Sequence, residues 1–485
     1  MIKFFSRSLI LVVLALLSVF PAFSQDDAEM AAEPTLLTDP FLQLPTEDSV
    51  RVVWFTEFEG ESHFVTFGEG LDQTAEAETF KMSRMFEDQN SRVGEQTESG
   101  QVYSSVVERD IWRHEATVTG LTQGERVPYF VTSIVDGTEV VSGEFTLQPT
   151  PAPGQPMQIL ITSDHQLMPM TPANLQMVEE TVGQVDAIFL AGDLQNIPDR
   201  ASEWFDDNRG RAFFPGLQGN AAAPLERTLE RDGITITTNT VYTGGELIQH
   251  APLFPALGNH ETMGRFIPAN GISGQYGDPR TREWAEQRYE ELAEIVNPTG
   301  DEAIREQWIS DNSFNTITYE ELFTLPEGPG GERYYAIQYG DVYLISLWAT
   351  RIWRTPSLGD NARGKYREPE ASLNLEDNWG EGEFLFSDLR PGSDQYNWLI
   401  EQLNSEAFQN ARYKYVLLHH PMHSLGDNVV PAYTDPVRTI DYNEDGSIAA
   451  VRYEYPIEED ILIYDILPLL EDAGVNMIHY GHSHV

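Results

Sequence analysis

There is no cysteine in the 485 residues. That absence excludes disulfide staples, thiolate metal ligands and a thiolate nucleophile together, so the fold has to be held by packing and by whatever metal it binds. Basic residues are scarce as well: 30 Lys and Arg stand against 77 Asp and Glu, a formal charge of −47. Such an imbalance repels phosphate backbones and anionic membrane surfaces, which argues against docking on nucleic acid and places most carboxylates on a solvated acidic surface. No apolar run reaches the ~20 residues needed to span a bilayer. Neither a Gly-rich phosphate loop ending in Lys and Ser/Thr nor a G-x-S-x-G elbow occurs. The P-loop nucleotide hydrolases are thereby removed, and a serine hydrolase has no supporting motif.

What is present begins with an export signal. Lys3 and Arg7 precede an apolar stretch from Leu9 to Phe20, and Ala22-Phe23-Ser24 forms a small-x-small cleavage site. Residues 1–24 therefore read as a signal peptide removed near Gln25, which predicts a secreted, periplasmic or extracellular protein with no membrane span after cleavage. Apolar residues make up 41% of the chain, enough for packed globular structure. The length exceeds one ordinary core and predicts two domains.

After a short acidic lead-in, residues 35–147 carry the runs "VRVVWFTE", "SHFVTFGE", "HEATVTGL", "RVPYFVTSIV" and "SGEFTLQP" between turn signals. Short strands at this spacing predict a small all-β sandwich. "QPTPAPGQP", residues 148–156, suits a stiff linker. From 157 to 485 apolar strands alternate with amphipathic helices, the pattern of an α/β layered core. Thr171 and Pro172 predict the N-cap and first-turn Pro of a helix with Leu175, Val178 and Val182 on one face. A second helix is expected near Asp394, with Trp398, Leu399 and Leu403 inward, and a third ends at Gly474. Residues 199–250 and 262–332 read as polar inserts, the second containing the helical "TREWAEQRYEELAEIV", and inserts of this size tend to shape a substrate entrance.

Five predicted strands end in residues of metal-ligand type. "MQILITSD" ends at Asp164, "DAIFLAGD" at Asp193, "PLFPALGNHE" reaches Asn259 and His260, "KYVLLHH" ends at His419 and His420, and "GVNMIHYGHSH" at His482 and His484. The carboxyl ends of strands line the ligand crevice of an α/β sheet, so residues far apart in sequence can converge there. A carboxylate can bridge two divalent ions, an amide oxygen ligates without adding charge, and neutral imidazoles complete the coordination. Any one of these residues is equally well a turn Asp or a hydrogen-bonded His. Their recurrence at five strand ends favours a metal site.

The ordered motifs "GD" at 192–193, "GNHE" at 258–261, "HHPMHS" at 419–424 and "GHSH" at 481–484 resemble those of the calcineurin-like metallophosphoesterases. The β-rich front, "ERYYAIQYGDVYLISL" and "PLLEDAGVNMIHYGHSH" are similar to the purple acid phosphatase branch. This resemblance implies an α/β fold: a β-sandwich metallophosphoesterase core of two mixed sheets flanked by helices, preceded by a small fibronectin type III-like all-β domain. Position by position it makes Asp193 the bridging ligand, with Asn259, His419 and His482 on one metal and Asp164 and His484 on the other. His260 is then the catalytic residue beside the substrate, and His420 and His423 are candidate substrate contacts. Two divalent ions (Fe, Mn or Zn) and a small phosphate ester substrate are implied. The expected reaction is hydrolysis of a phosphomonoester by a metal-bridging hydroxide.

Two positions depart from the family pattern. Asn196 stands where purple enzymes place a Tyr ligand, which argues against a purple ferric centre. Gln166 stands where many superfamily members have His, with His165 one position early. Alternation of side chains from Asp164 predicts that Gln166 faces the crevice, as a ligand or behind one, while His165 points away. Family members also continue beyond the position where this chain ends, so further strands are expected. The competing readings are a phosphodiesterase or nucleotidase of the same superfamily, and a metal-free binding module with a degenerate site.

Overall fold

The computed structural model describes residues 33–96, 102–231, 233–267, 269–353, 367–376, 379–380, 384–423, 425, 429–432 and 436–484. The predicted signal peptide, residues 1–24, and Ser424 of the motif "HHPMHS" lie outside the described residues. Residues 35–485 belong to one compact unit, and no described helix is long and apolar enough to cross a membrane.

The front of this unit is all-β and antiparallel. Its sheet runs in the order Phe41–Gln43, Ser49–Thr56, Trp112–Thr119, Gln73–Lys81, Ser62–Phe67, Val127–Val135, Phe145–Leu147, with Thr138–Val141 also on Val127–Val135. Ser49–Thr56 shows how it attaches to the rest. Successive strand side chains point to opposite faces. Val50, Val52 and Trp54 therefore enter the front core with Val65, Val118 and Val131, while Val53 and Phe55 face the main core. There the Phe55 ring meets Phe205 at 5.1 Å and Phe214 at 5.4 Å. The proline-rich segment after the sheet is held at both ends: Thr150 donates its backbone N–H to the Thr46 carbonyl at 2.7 Å, and Gly154 donates to the Asp341 carboxylate at 2.9 Å.

Two histidines stack inside the front core, His63 on His114 with ring centroids 3.7 Å apart. His114 bonds the Thr56 and Thr79 hydroxyls, and His63 bonds Ser133. Burial, with His63 next to it, pushes the His114 imidazole down to about 2. A histidine kept neutral when folded but free to protonate when unfolded costs stability as pH falls below its unfolded value near 6.5, up to about 1.4 kcal/mol per pH unit. Thermal unfolding should therefore show a steeper loss between pH 6.5 and 4.5 in the wild type than in His114→Gln. Parallel pH profiles for the two proteins would contradict this.

The α/β part has two facing sheets. Ile159–Thr162, Ala187–Leu190 and Leu253–Pro255 form a parallel three-stranded sheet. Tyr335–Tyr339, Val342–Ser346, Tyr413–Leu417 and Met477–His479 form a mixed one, antiparallel only in its first pair. Aromatic rings fill the space between them, Phe189 to Tyr415 at 6.4 Å and Phe254 to Tyr339 at 5.6 Å. Helices flank the pair. Asp394–Asn404, capped by the Ser393 hydroxyl, buries Trp398, Leu399 and Leu403 as its spacing predicts. Arg282–Val296 is capped by Thr281, within the second insert.

Thr171–Val182 differs from expectation in two ways. Thr171 is the first helical residue and Met170 stands at the cap; the Thr171 hydroxyl donates instead to the His165 carbonyl at 3.2 Å. Val182 is 49% exposed, because the last helical turn runs past the core that covers Leu175. The first insert forms a long exposed hairpin, Ala223–Arg231 with Ile234–Tyr242.

Candidate metal centre

Within each sheet the parallel strands run in one direction, and Asp164, Asp193, Asn259, His260, His419, His420, His482 and His484 follow their carboxyl ends by two to five positions. Pairing continues beyond the strands: Asp164 donates its backbone N–H to Gly192 O at 3.0 Å, and Gly481 donates to His419 O at 3.1 Å. Two glycines make the approach possible. A Cβ at Gly258 would stand 2.3 Å from Asp193 Oδ1, and one at Gly481 would stand 2.1 Å from Asp164 Oδ2. Any side chain there would displace the carboxylate beside it.

Asp193, His419 and His482 come together, each offering one atom within 4.8 Å of the others. His419 Nε2 lies 3.2 Å from Asp193 Oδ2 and 3.2 Å from His482 Nδ1. The other ring nitrogen of His419, Nδ1, bonds the Ala191 carbonyl at 2.7 Å, which commits its proton there and turns Nε2 inward. Asp164 and His484 make the adjoining pair, 3.1 Å apart, and the His482 backbone N–H donates to the Asp164 carboxylate at 3.1 Å. Ser163 donates its hydroxyl to the same carboxylate at 2.5 Å.

Backbone strain gathers at these residues. Asp164, Gln166, Asp193, His482 and His484 all have left-handed φ, between 40° and 66°. Each such residue costs on the order of 1–3 kcal/mol, and strain of this kind persists where the surroundings over-determine a functional geometry.

Asn259 is buried in a short 3-10 turn, Asn259–Glu261, between Gly258 and His260, both of which approach Asp193. The His260 ring stands at the edge of the cluster, Nε2 4.0 Å from Asp193 Oδ2, with Nδ1 bonded to the Asn196 carbonyl at 2.7 Å and the Tyr276 hydroxyl at 3.1 Å. Gln166 reaches Asp193 Oδ2 at 3.1 Å through its amide. His165 turns the other way, bonding Thr162 Oγ1 at 3.1 Å and packing on Phe213. The Asn196 side chain donates to the Gln166 carbonyl at 3.0 Å, away from the carboxylates.

His420 is buried behind the cluster, with Nε2 on the Val430 carbonyl at 2.7 Å and its ring 5.0 Å from His482. His423 lies further out against Tyr480, accepting from the Leu425 backbone N–H, and makes no described contact with the carboxylates.

Three contributors escape motif reading. Glu261 is fully buried and accepts backbone N–H bonds from Asp193 at 3.0 Å, Leu194 at 2.7 Å and Gly258 at 2.7 Å, so one carboxylate clamps two motif turns together. Its place in "GNHE" was the available signal. Tyr276 supports His260 from the second insert. Trp353 caps His482 at 4.3 Å and stacks on Phe384 at 3.9 Å, an apolar wall with no local signature.

The electrostatics are those of a cation site. Burial would raise Asp193, but His419, His260 and His482 hold its carboxyl below the usual range. Burial would lower His419, yet Asp193 and Asp164 reverse this and push it up to about 10. The hydrogen bond that His484 donates to the Asp164 carboxylate likewise raises His484. Burial and Asp193 together push Glu261 up to about 8. Carboxylates that favour the protonated form of neighbouring imidazoles also favour a divalent ion in the same place. The donor set of carboxylate oxygen and imidazole nitrogen suits Zn, Mn or Fe(II).

A purple acid phosphatase, PPD1, isolated from yellow lupin (Lupinus luteus) seeds, is similar at 16% identity and a TM-score of 0.47 over 91% of this chain and 57% of its own. This chain thus spans less than two thirds of that protein's length. A bromine derivative of BhCBM56 matches at 15% identity and a TM-score of 0.13, over 22% of this chain and 90% of its own. No curated protein sequence matches. The calcineurin-like phosphoesterase model matches residues 157–485, the whole α/β part with every motif described above, and the chain belongs to that family.

Proposed function

We propose that the protein is an exported two-metal phosphohydrolase of the purple acid phosphatase-like branch, with a fibronectin type III-like front domain, and that it acts on small phosphomonoesters. The observation that supports this best is the convergence of Asp193, His419 and His482 on one point, with Asp164 and His484 beside it. Asn259, His419 and His482 would hold one divalent ion, Asp164 and His484 the other, and Asp193 would serve both. Such ions supply Lewis-acid polarisation of a phosphoryl oxygen and acidify water. The residues of the chain do the rest. Asp193 and Asp164 set the charge of the site, and the Trp353–Phe384 wall restricts water on the His482 side. His260 presents Nε2 toward the space above Asp193, placed to pass a proton to a leaving oxygen.

Purified with Mn or Zn, the protein should hydrolyse p-nitrophenyl phosphate with a higher kcat/KM than bis(p-nitrophenyl) phosphate. A preference for the diester would support the phosphodiesterase reading, and protein that takes up no metal and is inert toward both would support the metal-free binding module.

Gln166 tests the ligand assignment from another side. An amide oxygen is a weaker zinc ligand than imidazole, so Gln166→His should tighten zinc in a titration of metal-free protein while His165→Ala changes little. Loss of one site in His165→Ala with no gain in Gln166→His would make His165 the ligand.

A further inference from the structure

A cavity of about 620 Å³ lies beside the candidate centre, and its lining includes Arg333, Trp348 and Arg351. The indole of Trp348 is fixed: its backbone N–H donates to Gln395 at 2.9 Å, and its ring N–H donates to the Thr350 carbonyl at 3.0 Å. Both guanidinium groups lie over that ring, Arg333 at 5.3 Å and Arg351 at 5.1 Å from its centroid. Contact with an aromatic face is attractive for a cation but supplies no counter-charge.

In a chain with 77 acidic residues, neither Arg333 nor Arg351 forms an ion pair among the described residues. The Nε of Arg351 is buried with no hydrogen-bond partner there, whereas Arg333 Nε donates to the Gly330 carbonyl at 2.7 Å. Two carboxylates also line the cavity. Glu283 is exposed, and Glu320 accepts from the Thr316 hydroxyl. Arg282, the third lining arginine, is already paired with Glu286 and Glu306. Burial weighs most against the charge on Arg351; Glu283 and Asp388 support that charge and Arg333 opposes it, and an anion beside the two guanidinium groups would add to the support.

The cavity is joined to the metal cluster by its walls. Phe386 lines it, pairs with Thr350, and lays its ring 4.9 Å from His420. Trp353, two residues after Arg351, lies 4.3 Å from His482.

We propose that the Arg333–Trp348–Arg351 cavity binds a phosphate-class oxyanion, namely the non-reacting anionic group of a substrate whose ester phosphate sits at the histidine–carboxylate cluster. The substrate class is therefore a phosphomonoester carrying a second phosphate. This assignment rests on the hydrolase reading given above.

Two measurements separate the claims. Calorimetric titration of metal-free protein with inorganic pyrophosphate should show binding that weakens at least tenfold in Arg351→Gln and in Arg333→Gln, with Arg351→Lys retaining more affinity than Arg351→Gln. In the metal-loaded enzyme, the KM for a sugar bisphosphate relative to the matching monophosphate should rise at least tenfold in Arg351→Gln. Pyrophosphate affinity unchanged in both Gln variants, or a KM ratio that does not move, overturns the proposal. If neither ester is hydrolysed while pyrophosphate binding still depends on both arginines, the hydrolase reading fails and the anion site stands.

Discussion

Asp193→Asn should lower kcat/KM for a phosphomonoester by on the order of 10³-fold and reduce bound metal, because this carboxylate is the charge on which the whole cluster is organised. Its Oδ2 faces His419 at 3.2 Å, His260 at 4.0 Å and the Gln166 amide at 3.1 Å, while Oδ1 accepts the His260 backbone N–H at 3.0 Å. The neutral amide keeps the shape and removes the charge. His419, held up to about 10 by its acidic neighbours, would lose its nearest one. The backbone turn is still clamped by Glu261, so the variant should remain folded, as thermal unfolding would verify. A folded variant that keeps two metals and full turnover would refute the bridging role.

His260→Ala should lose ~10²–10⁴ in kcat while keeping its metals, the range expected when a positioned general acid is removed. With the Nδ1 proton committed to the Asn196 carbonyl, Nε2 is the nitrogen left to exchange a proton with substrate. The Tyr276 ring, stacked on His260 at 5.7 Å, keeps the imidazole from swinging out. Metal content by elemental analysis together with single-turnover rates separates this from a ligand role. Loss of metal with unchanged turnover per occupied site would contradict it.

The parts of the fold legible in the sequence are those whose burial follows local periodicity. Trp398, Leu399 and Leu403 lie inward on their helix, the stretch "TREWAEQRYEELAEIV" is helical from Arg282 to Val296, and the apolar runs of the front region are strands. Gln73–Lys81 was not legible: it sits in the middle of the front sheet, yet its side chains are half-buried or exposed, and Thr, Ala and Glu alternate without an apolar stripe. The hairpin of the first insert was hidden for the same reason, since nearly all of its side chains face solvent.

At the site, strand-end motifs carry the residue types but not their long-range partners. That His165 bonds Thr162 while Gln166 reaches Asp193 depends on a turn with left-handed φ at Asp164, Gln166 and Leu167, which strand alternation alone does not describe. The bonds from Glu261 to the Asp193 turn and the Trp353 ring over His482 are made by residues far apart in the chain, and Arg333 reaches Trp348 across fifteen residues. No periodicity announces such contacts.

The central claim, that the strand-end residues hold two metals, is tested most directly by anomalous diffraction from crystals of the manganese- or zinc-loaded protein. Two strong peaks are predicted, one bounded by Asp193, His419 and His482 and the other beside Asp164 and His484. Saturated protein with no peak at these residues, or with its metals bound elsewhere, would contradict the account.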